Sequence, residues 1–182
     1  MMSNYIDTNI PDSFKDNIRT ILILNREKNI QERKCIRKIS TGINQYNKIV
    51  CELTDTNEFK SGEYRIYSSV NTINLQKSVK EFKRRQLDID YEQYEQRLDW
   101  YTHLDYMFFS CVSAPSSRES KYFLYDCDTD EEYKNTIEAL KDEVILLDYA
   151  TKNGRHIVTE PHNPHKTATL IKDALLLVRY IP

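Results

Sequence analysis

Apolar and polar positions in the last third of the chain follow the pattern of strands separated by turns and helices. The apolar run over residues 121–128 predicts a buried strand. Residues 144–150 and 155–159 predict two further strands, and Asn153-Gly154 between them is a strong signal for a β-hairpin. These three segments predict one sheet whose first strand ends at Asp128.

Two helices are predicted around those strands. Thr129 and Glu132 form a capping-box pattern before an apolar stripe, which predicts a helix ending near Lys141. Asn163-Pro164 predicts the start of a second helix, with an apolar stripe formed by Leu170, Ile171, Ala174 and Leu175. A last strand follows over residues 176–181. The order β-α-β-β-α-β predicts an α+β fold with a C-terminal palm-like or RRM-like unit.

The first half of the chain has a weaker pattern. Residues 12–32 fit either one amphipathic helix or a helix leading into a strand at Ile21–Leu24. Residues 48–53 and 63–69 predict strands, and residues 71–87 predict a helix. The Pro/Ser-rich segment 113–120 predicts a boundary between an N-terminal α/β module, residues 1–118, and the palm-like unit, residues 119–182. We expect the two modules to form one compact domain that shares a cleft.

Composition narrows the class of protein. The 26 Lys and Arg nearly balance the 28 Asp and Glu, so a nucleic-acid site would have to be a local one. The four cysteines contain no C-x-x-C pair, which favours a reducing compartment over a zinc ribbon. The apolar stretch Ile21–Leu24 is too short for a signal sequence or a membrane span. We therefore expect a cytoplasmic protein that does not act at a membrane.

The strand that ends in Asp-x-Asp carries the strongest chemical signal. Asp126 and Asp128 share one face of a strand, because side chains repeat every two residues. Two neighbouring carboxylates are typical ligands of Mg²⁺ or Mn²⁺. His156, two residues after Gly154, lies on the returning hairpin strand and is expected near the same end of the sheet. Two acids and a histidine suggest chemistry on phosphates.

These motifs resemble the archaeo-eukaryotic primase superfamily. The segment Phe123-Leu-Tyr-Asp-Cys-Asp128 is similar to its first motif, and Asn153-Gly-Arg-His156 to its second. The likeness is greatest to small primase-polymerase-like proteins of phages, whose Arg-x-Tyr-x-Ser-x-Asn stretch stands here as Arg65-Ile-Tyr-Ser-Ser-Val-Asn71.

The resemblance implies a metal-dependent nucleotidyltransferase that acts on nucleoside triphosphates with a single-stranded DNA template. It implies that Asp126 and Asp128 are catalytic metal ligands and that His156 contacts the phosphates of the nucleotide. Lys152 and Arg155, which lie near His156 in the sequence, and Arg65 of the upstream stretch become candidate nucleotide-binding residues. A basic stripe on the helix over residues 71–87 is a candidate nucleic-acid contact; it consists of Lys77, Lys80 and Arg84. In the host cytoplasm, a phage replication protein or a host protein is an expected partner.

One departure from the superfamily keeps other functions open. Its third motif places an acid on a later strand, and residues 176–181 contain none. Substitutes near in sequence are Glu160, Asp148 and Asp173. A second group that resembles a metal cluster is Glu160, His162 and His165. Pro161 and Pro164 lie between these residues and favour a loop and a helix start instead. The alternatives are a catalytically inactive or repurposed protein that binds nucleic acid, nucleotide or a host protein, and a metal-dependent nuclease or nucleotide hydrolase.

Overall fold

A computed structural model describes residues 6–7, 10–25, 35–55, 64–92, 102–151, 154–163, 169–172 and 174–181. Its helices are α1 (Asp12–Lys15), α2 (Ile43–Asp55), α3 (Leu75–Glu92), α4 (Leu104–Ser113) and α5 (Asp130–Ala139). Its strands are β1 (Ile6–Asp7), β2 (Arg19–Asn25), β3 (Cys35–Ser40), β4 (Tyr64–Ser69), β5 (Phe123–Cys127), β6 (Ile145–Ala150), β7 (Arg155–Thr159), β8 (Thr169–Lys172) and β9 (Leu175–Ile181). The predicted α+β class is confirmed.

The described strands form two antiparallel sheets. The five-stranded sheet has the order β1-β9-β4-β2-β3, and the four-stranded sheet has the order β6-β7-β5-β8. In the second sheet, β7 lies between β5 and β6, which are connected through α5. This is the split β-α-β arrangement that the sequence predicted. It makes β5 an interior strand, with β7 on one side and β8 on the other.

The second predicted helix of this unit is wrong over its apolar stripe. Leu170 and Ile171 lie in β8, and Leu175 begins β9; residues 164–168 lie outside the described part of the chain. β8 pairs with β5 and so takes the place of the fourth strand. The predicted last strand exists as β9, but it pairs with β4 in the other sheet. The apolar residues of this stripe are spaced as on a helix, but they also form two short apolar runs, and such runs are equally typical of strands.

In the first half, the strand predicted over residues 48–53 is wrong, because these residues lie in α2. Tyr46, Ile49, Val50 and Leu53 are buried on one side of this helix, and their spacing is that of a helix rather than of a strand, whose side chains alternate. Of the two alternatives for residues 12–32, α1 followed by β2 is the observed one. The predicted strand over 63–69 is confirmed as β4.

The chain divides into two compact units. One contains residues 1–71 and 121–182, and the other contains residues 72–120. Within the first unit, a main core cluster draws side chains from both sheets and from α2; Ile23, Ile66, Tyr46, Leu124, Tyr149 and Val158 are among its members. A smaller cluster lies between the four-stranded sheet and α5, and contains Tyr125, Cys127, Leu140 and Ile157.

Hydrogen bonds hold together the two chain segments of the first unit on either side of residues 72–120. The buried Arg19 donates from Nη1 to the carbonyl oxygens of Ser69, at 2.9 Å, and of Val70. Asn71 Oδ1 then accepts the N–H of Tyr122 at 2.7 Å, which ties the end of β4 to the start of β5. Because both residues flank the excursion to the second unit, the first unit closes on itself across that gap.

The second unit is built from α3, α4 and a short 3-10 helix, Pro115–Ser117. Phe82 of α3 packs edge-on against Phe108 of α4, with ring centroids 5.3 Å apart. The two ends of the second unit are also joined, because the N–H of Thr72 donates to Ser120 Oγ at 2.8 Å. Among the described helices of the whole chain, none is long and apolar enough to span a bilayer.

Candidate active site at the end of β5

β5 presents different chemistry on its two faces. Tyr125 and Cys127 lie in the cluster beneath α5, whereas Leu124 belongs to the main core. Asp126 shares the face of Leu124, since side chains alternate along a strand. The Asp126 side chain is 34% exposed and lies where the strand leaves the core. The predicted strand therefore delivers its first acid to the rim of the main core.

The β6–β7 hairpin presses against the end of β5 through Gly154. A Cβ added to Gly154 would lie only 2.0 Å from the carbonyl oxygen of Cys127 and 3.0 Å from Cα of Asp128. Such contacts do not occur between real atoms, so the position requires glycine for close backbone approach. The glycine of the predicted turn thus sets how closely the hairpin approaches the Asp-x-Asp segment.

Asp126, His156 and Tyr149 form one row across three adjacent strands, which we call the inner row. The strand register pairs Asp126 with His156, and His156 with Tyr149. His156 Nε2 lies 3.2 Å from Asp126 Oδ1, and His156 Nδ1 lies 2.9 Å from Tyr149 Oη. Tyr149 Oη is also 3.4 Å from the carbonyl oxygen of Leu177 in β9. The row connects the exposed acid to the interior of the first unit.

The protonation of the inner row follows from its hydrogen bonds. Burial lowers the pKa of His156, and the Asp126 carboxylate opposes this shift only in part. The ring is therefore assigned as neutral, with one N–H. A carboxylate can only accept, so Nε2 is assigned as the donor to Asp126, and Nδ1 as the acceptor of the single hydroxyl proton of Tyr149 at 2.9 Å, in preference to the Leu177 carbonyl oxygen at 3.4 Å. Burial also raises the pKa of Tyr149, which keeps its hydroxyl protonated.

Asp128 lies just beyond β5 and is exposed. Its backbone N–H donates to Glu132 Oε2 at 2.9 Å, and the N–H of Glu132 donates to Thr129 Oγ1 at 3.2 Å. This confirms the predicted cap, although Glu132 reaches back one residue further than the N-cap. The cap fixes the backbone of Asp128 while its carboxylate faces solvent.

The carboxylate oxygens of Asp126 and Asp128 at this end of β5 are of the ligand type that hard divalent cations such as Mg²⁺ and Mn²⁺ prefer. Among the residues that the structure describes, no three His, Cys, Asp or Glu side chains are grouped to enclose a metal ion. Mg²⁺ is commonly held by only one or two carboxylates, with waters and substrate phosphates completing its shell. Asp126 and Asp128 would provide those carboxylates, and the bond from His156 would orient the first of them.

Arg155 lies on the other face of the sheet from His156, its neighbour in sequence. Its Nη2 lies 2.8 Å from Asp148 Oδ1, and Tyr133 Oη donates to Asp148 Oδ2 at 2.8 Å. The Arg155 guanidinium also lies over the Tyr133 ring, 4.6 Å from its centroid. We call Tyr133, Asp148 and Arg155 the outer cluster. Because strand side chains alternate, the predicted nucleotide-binding Arg155 is directed away from the inner row.

The remaining predicted binding residues are not brought to the inner row by any described contact. Arg65 alternates along β4 with core residues and lies over the ring of Tyr180, 5.7 Å from its centroid. Lys152 lies outside the described residues. Lys77, Lys80 and Arg84 are exposed on α3 in the second unit. Arg84 there forms ion pairs with two acids of its own helix, Glu81 and Asp88.

The two described substitutes for a third acid, Asp148 and Glu160, form no described contact with the inner row. Asp148 belongs to the outer cluster, Glu160 is an exposed residue after β7, and Asp173 is outside the described residues. His165, which the sequence suggested as part of a second metal cluster with Glu160 and His162, also lies outside the described residues. His162 lies 2.8 Å through Nε2 from Tyr125 Oη, and its Nδ1 donates to the carbonyl oxygen of Glu160 at 2.9 Å. His162 thus secures the chain beyond β7.

Sequence reasoning missed Tyr149 as a member of the site. The signal was present, because the strands predicted over residues 144–150 and 155–159 pair position 149 with position 156 when their adjoining ends lie opposite each other. In the structure, the N–H of Thr151 donates to the carbonyl oxygen of Gly154 at 2.8 Å between the ends of these two strands. Extending the hairpin register by two residues would have placed Tyr149 beside His156.

Comparison of the chain with protein-family models, curated proteins and solved structures found no match. The function proposed below therefore rests on the geometry of the inner row and on Asp128.

Proposed function

We propose that the protein is a metal-dependent nucleotidyltransferase of the primase-polymerase type. The observation that supports this most directly is the contact between Asp126 and His156, residues from two separate motifs that lie opposite each other at the Asp-x-Asp end of β5. The β6-β7-β5-β8 order around them is that of a palm-like sheet and adds support.

In the proposed reaction, the 3′-oxygen of a primer strand attacks the α-phosphorus of a nucleoside triphosphate. The new P–O bond forms as the bond to the bridging oxygen of the β-phosphate breaks, pyrophosphate leaves, and the proton of the 3′-hydroxyl passes to water. Bound Mg²⁺ or Mn²⁺ would supply stabilisation of the charge on the phosphate oxygens. Asp126 and Asp128 are the residues that we assign to hold it.

We assign His156 to positioning Asp126 rather than to direct contact with the triphosphate. Both of its ring nitrogens already have partners, Asp126 and the hydroxyl of Tyr149. Hydrogen bonds to a ligating carboxylate fix its orientation and commonly change metal affinity by about 10–100-fold. Tyr149 in turn holds the imidazole, so the inner row fixes one carboxylate oxygen of Asp126, and we assign the other to the metal.

Binding of the nucleic-acid strand is assigned to a different part of the chain. Lys77 and Lys80 are exposed on α3 and supply positive charge that a phosphate backbone would attract. Lys152 beside the hairpin turn remains a proposed phosphate contact from its position in the sequence. Arg155 is left out of the proposed site because its guanidinium is bound to Asp148.

The proposal is tested by incubating the protein with Mn²⁺ or Mg²⁺, labelled deoxynucleoside triphosphates and a primed single-stranded DNA template. Asp126→Asn and Asp128→Asn should each reduce primer extension about a hundredfold or more, because a metal contributes several kcal/mol to transition-state stabilisation. Asp148→Asn is the matched control. It removes a carboxylate from the same sheet but on the other face, and extension should persist.

Extension that survives Asp126→Asn would contradict the proposal. Release of nucleoside monophosphate or diphosphate without extension would identify a hydrolase at the same acids. Cleavage of the template would identify a nuclease.

A noncatalytic binding protein is the second candidate, and one observation favours it. Among the described residues, neither Asp148 nor Glu160 is grouped with Asp126 to complete a cluster of three metal ligands. Binding of a labelled triphosphate or DNA without turnover, in the presence of Mn²⁺, would support this candidate over the first.

A further inference from the structure

One edge of the four-stranded sheet is open. β6 is its outermost strand, and the only neighbour of β6 among the described strands is β7. By contrast, β7 and β5 each have a strand on both sides. A strand at the edge of a sheet presents unpaired N–H and C=O groups, which can pair with a further strand. β6 therefore has the backbone groups needed to extend the sheet.

The hairpin register identifies backbone groups at this open edge. The N–H of Thr151 donates to the carbonyl oxygen of Gly154, and hydrogen-bonded and non-hydrogen-bonded pairs alternate along an antiparallel ladder. Tyr149 is therefore bonded to β7, whereas Asp148 and Ala150 direct their N–H and C=O groups away from it. Both Asp148 and Ala150 are exposed. The open edge thus has at least two residues whose backbone can bond to another strand.

Apolar side chains accompany this edge. Val144, just before β6, is 54% exposed, and Ile145 and Leu146 are 39% and 37% exposed. Residues 144–150 contain no Pro or Lys, the residues that commonly protect an edge strand from pairing. A shift of register between Ile145 and Leu147 is the one irregularity described in this strand. Pairing at the edge would remove three neighbouring aliphatic side chains from water.

A second copy of the chain matches this edge in hydrogen bonding and in charge. Two identical strands that run antiparallel about a two-fold axis offer each other the same donors and acceptors. The only charged side chain in residues 144–150 is Asp148, and Arg155 of the same chain binds it at 2.8 Å. The exposed Asp142 precedes the strand, and Lys152 follows it in the sequence. Antiparallel copies would therefore bring opposite charges together at each end of the paired strands.

We propose that β6 pairs with β6 of a second copy to form a two-fold dimer. The four strands of each copy would then form one continuous sheet of eight strands. The axis would lie near Leu146 and Leu147, which brings the exposed aliphatic side chains of the two copies together. Since each copy contributes one short strand, we expect a reversible dimer with a Kd of about 1–100 µM. This inference is independent of the nucleotidyltransferase proposal, because it uses the edge of β6 and not the metal ligands.

Sedimentation velocity of the full chain, at concentrations from about 1 to 300 µM, tests the dimer. The average mass should rise from that of one chain towards that of two. Leu146→Lys places two ammonium groups near the axis and should weaken association at least about tenfold, because like charges at an interface repel. Leu175→Lys is the matched control, because Leu175 is also 37% exposed but begins β9 in the other sheet. It should leave the Kd unchanged.

Amide hydrogen exchange, measured by NMR, locates the interface. At a concentration of about ten times the Kd, exchange at Asp148 and Ala150 should be about fivefold slower than in dilute protein, because only the remaining monomer exchanges. Rates in β3, an edge strand of the other sheet, should not change.

The mass of one chain at every concentration would overturn the dimer. Dimers without slower exchange at Asp148 and Ala150, or dimers weakened equally by Leu146→Lys and Leu175→Lys, would overturn the assignment to β6. Circular dichroism shows whether each variant is folded. Val144→Lys, at the more exposed Val144, replaces Leu146→Lys if the latter does not fold.

Discussion

The two faces of the four-stranded sheet carry similar residue types in different arrangements. The inner row contains an aspartate, a histidine and a tyrosine; the outer cluster contains an aspartate, an arginine and a tyrosine. On the outer face, Arg155 donates to Asp148 from two nitrogens and Tyr133 donates to the other oxygen, so the carboxylate is satisfied within the protein. On the inner face, Asp126 accepts a hydrogen bond from His156, and the exposed Asp128 follows two residues later. Arg155 and His156 are neighbours in sequence but have different roles, because strand side chains alternate between the two faces.

The largest expected effect comes from Gly154→Ala, which forces the hairpin away from β5. The added methyl group would meet the backbone oxygen of Cys127, an atom that cannot rotate aside. We expect a loss of about 3 kcal/mol in the free energy of unfolding, measured by urea denaturation. The NMR signals of the His156 ring should change as its contact with Asp126 is lost.

Thr151→Ala is the control for this turn, because it removes only the hydroxyl that accepts the Gly154 N–H at 3.2 Å. It should cost less than about 1 kcal/mol. A Gly154→Ala variant as stable as the parent would show that the close approach of the hairpin to β5 is incorrect.

Next in size is the effect of His156 on metal affinity. Asn in place of His156 would present its amide near the position of Nδ1, whereas Gln would extend it to the position of Nε2. We expect His156→Asn to weaken Mn²⁺ binding about 10–100-fold and His156→Gln to restore much of it, as measured by the electron paramagnetic resonance signal of free Mn²⁺. Equal affinities for both variants would remove His156 from the inner row as a positioning residue, whether or not the protein extends primers.

Tyr149→Phe should have a smaller effect, and mainly on stability. It removes the hydroxyl between His156 Nδ1 and the Leu177 carbonyl and leaves a buried acceptor without its donor. We expect a loss of about 1–2 kcal/mol in the free energy of unfolding. Tyr133→Phe on the outer face is the matched control. A greater loss for Tyr133→Phe than for Tyr149→Phe would reverse the ranking of the two faces.

The smallest effect is expected for Arg155→Gln. The side chains of Arg155 and Asp148 are 36% and 26% exposed, so water screens their attraction. A loss below about 1 kcal/mol is expected, with Mn²⁺ affinity unchanged. A large loss of Mn²⁺ or nucleotide affinity in Arg155→Gln would mean that the outer face takes part in the site.

Local signals in the sequence predicted the parts of the site that depend on neighbouring residues. The cap at Thr129, the turn at Gly154 and the Asp-x-Asp strand all follow from spacing within a few positions. One error arose where partners are distant, because nothing near Leu175 indicates that β9 pairs with β4, more than a hundred residues earlier. The strand predicted over residues 48–53 is an error of another kind, because the spacing of Ile43, Tyr46, Val50 and Leu53 is already that of a helix. Tyr149 was within reach of local reasoning, because the hairpin register alone pairs it with His156.

The joined ends of the second unit bear on how this chain could have been assembled over evolutionary time. Asn71 and Tyr122 are hydrogen-bonded to each other within the first unit, and Thr72 and Ser120 within the second. A segment whose ends already meet can be gained or deleted in one genetic event, since the remaining chain needs only a short loop to reconnect. Residues 72–120 thus have the form of an interchangeable cassette.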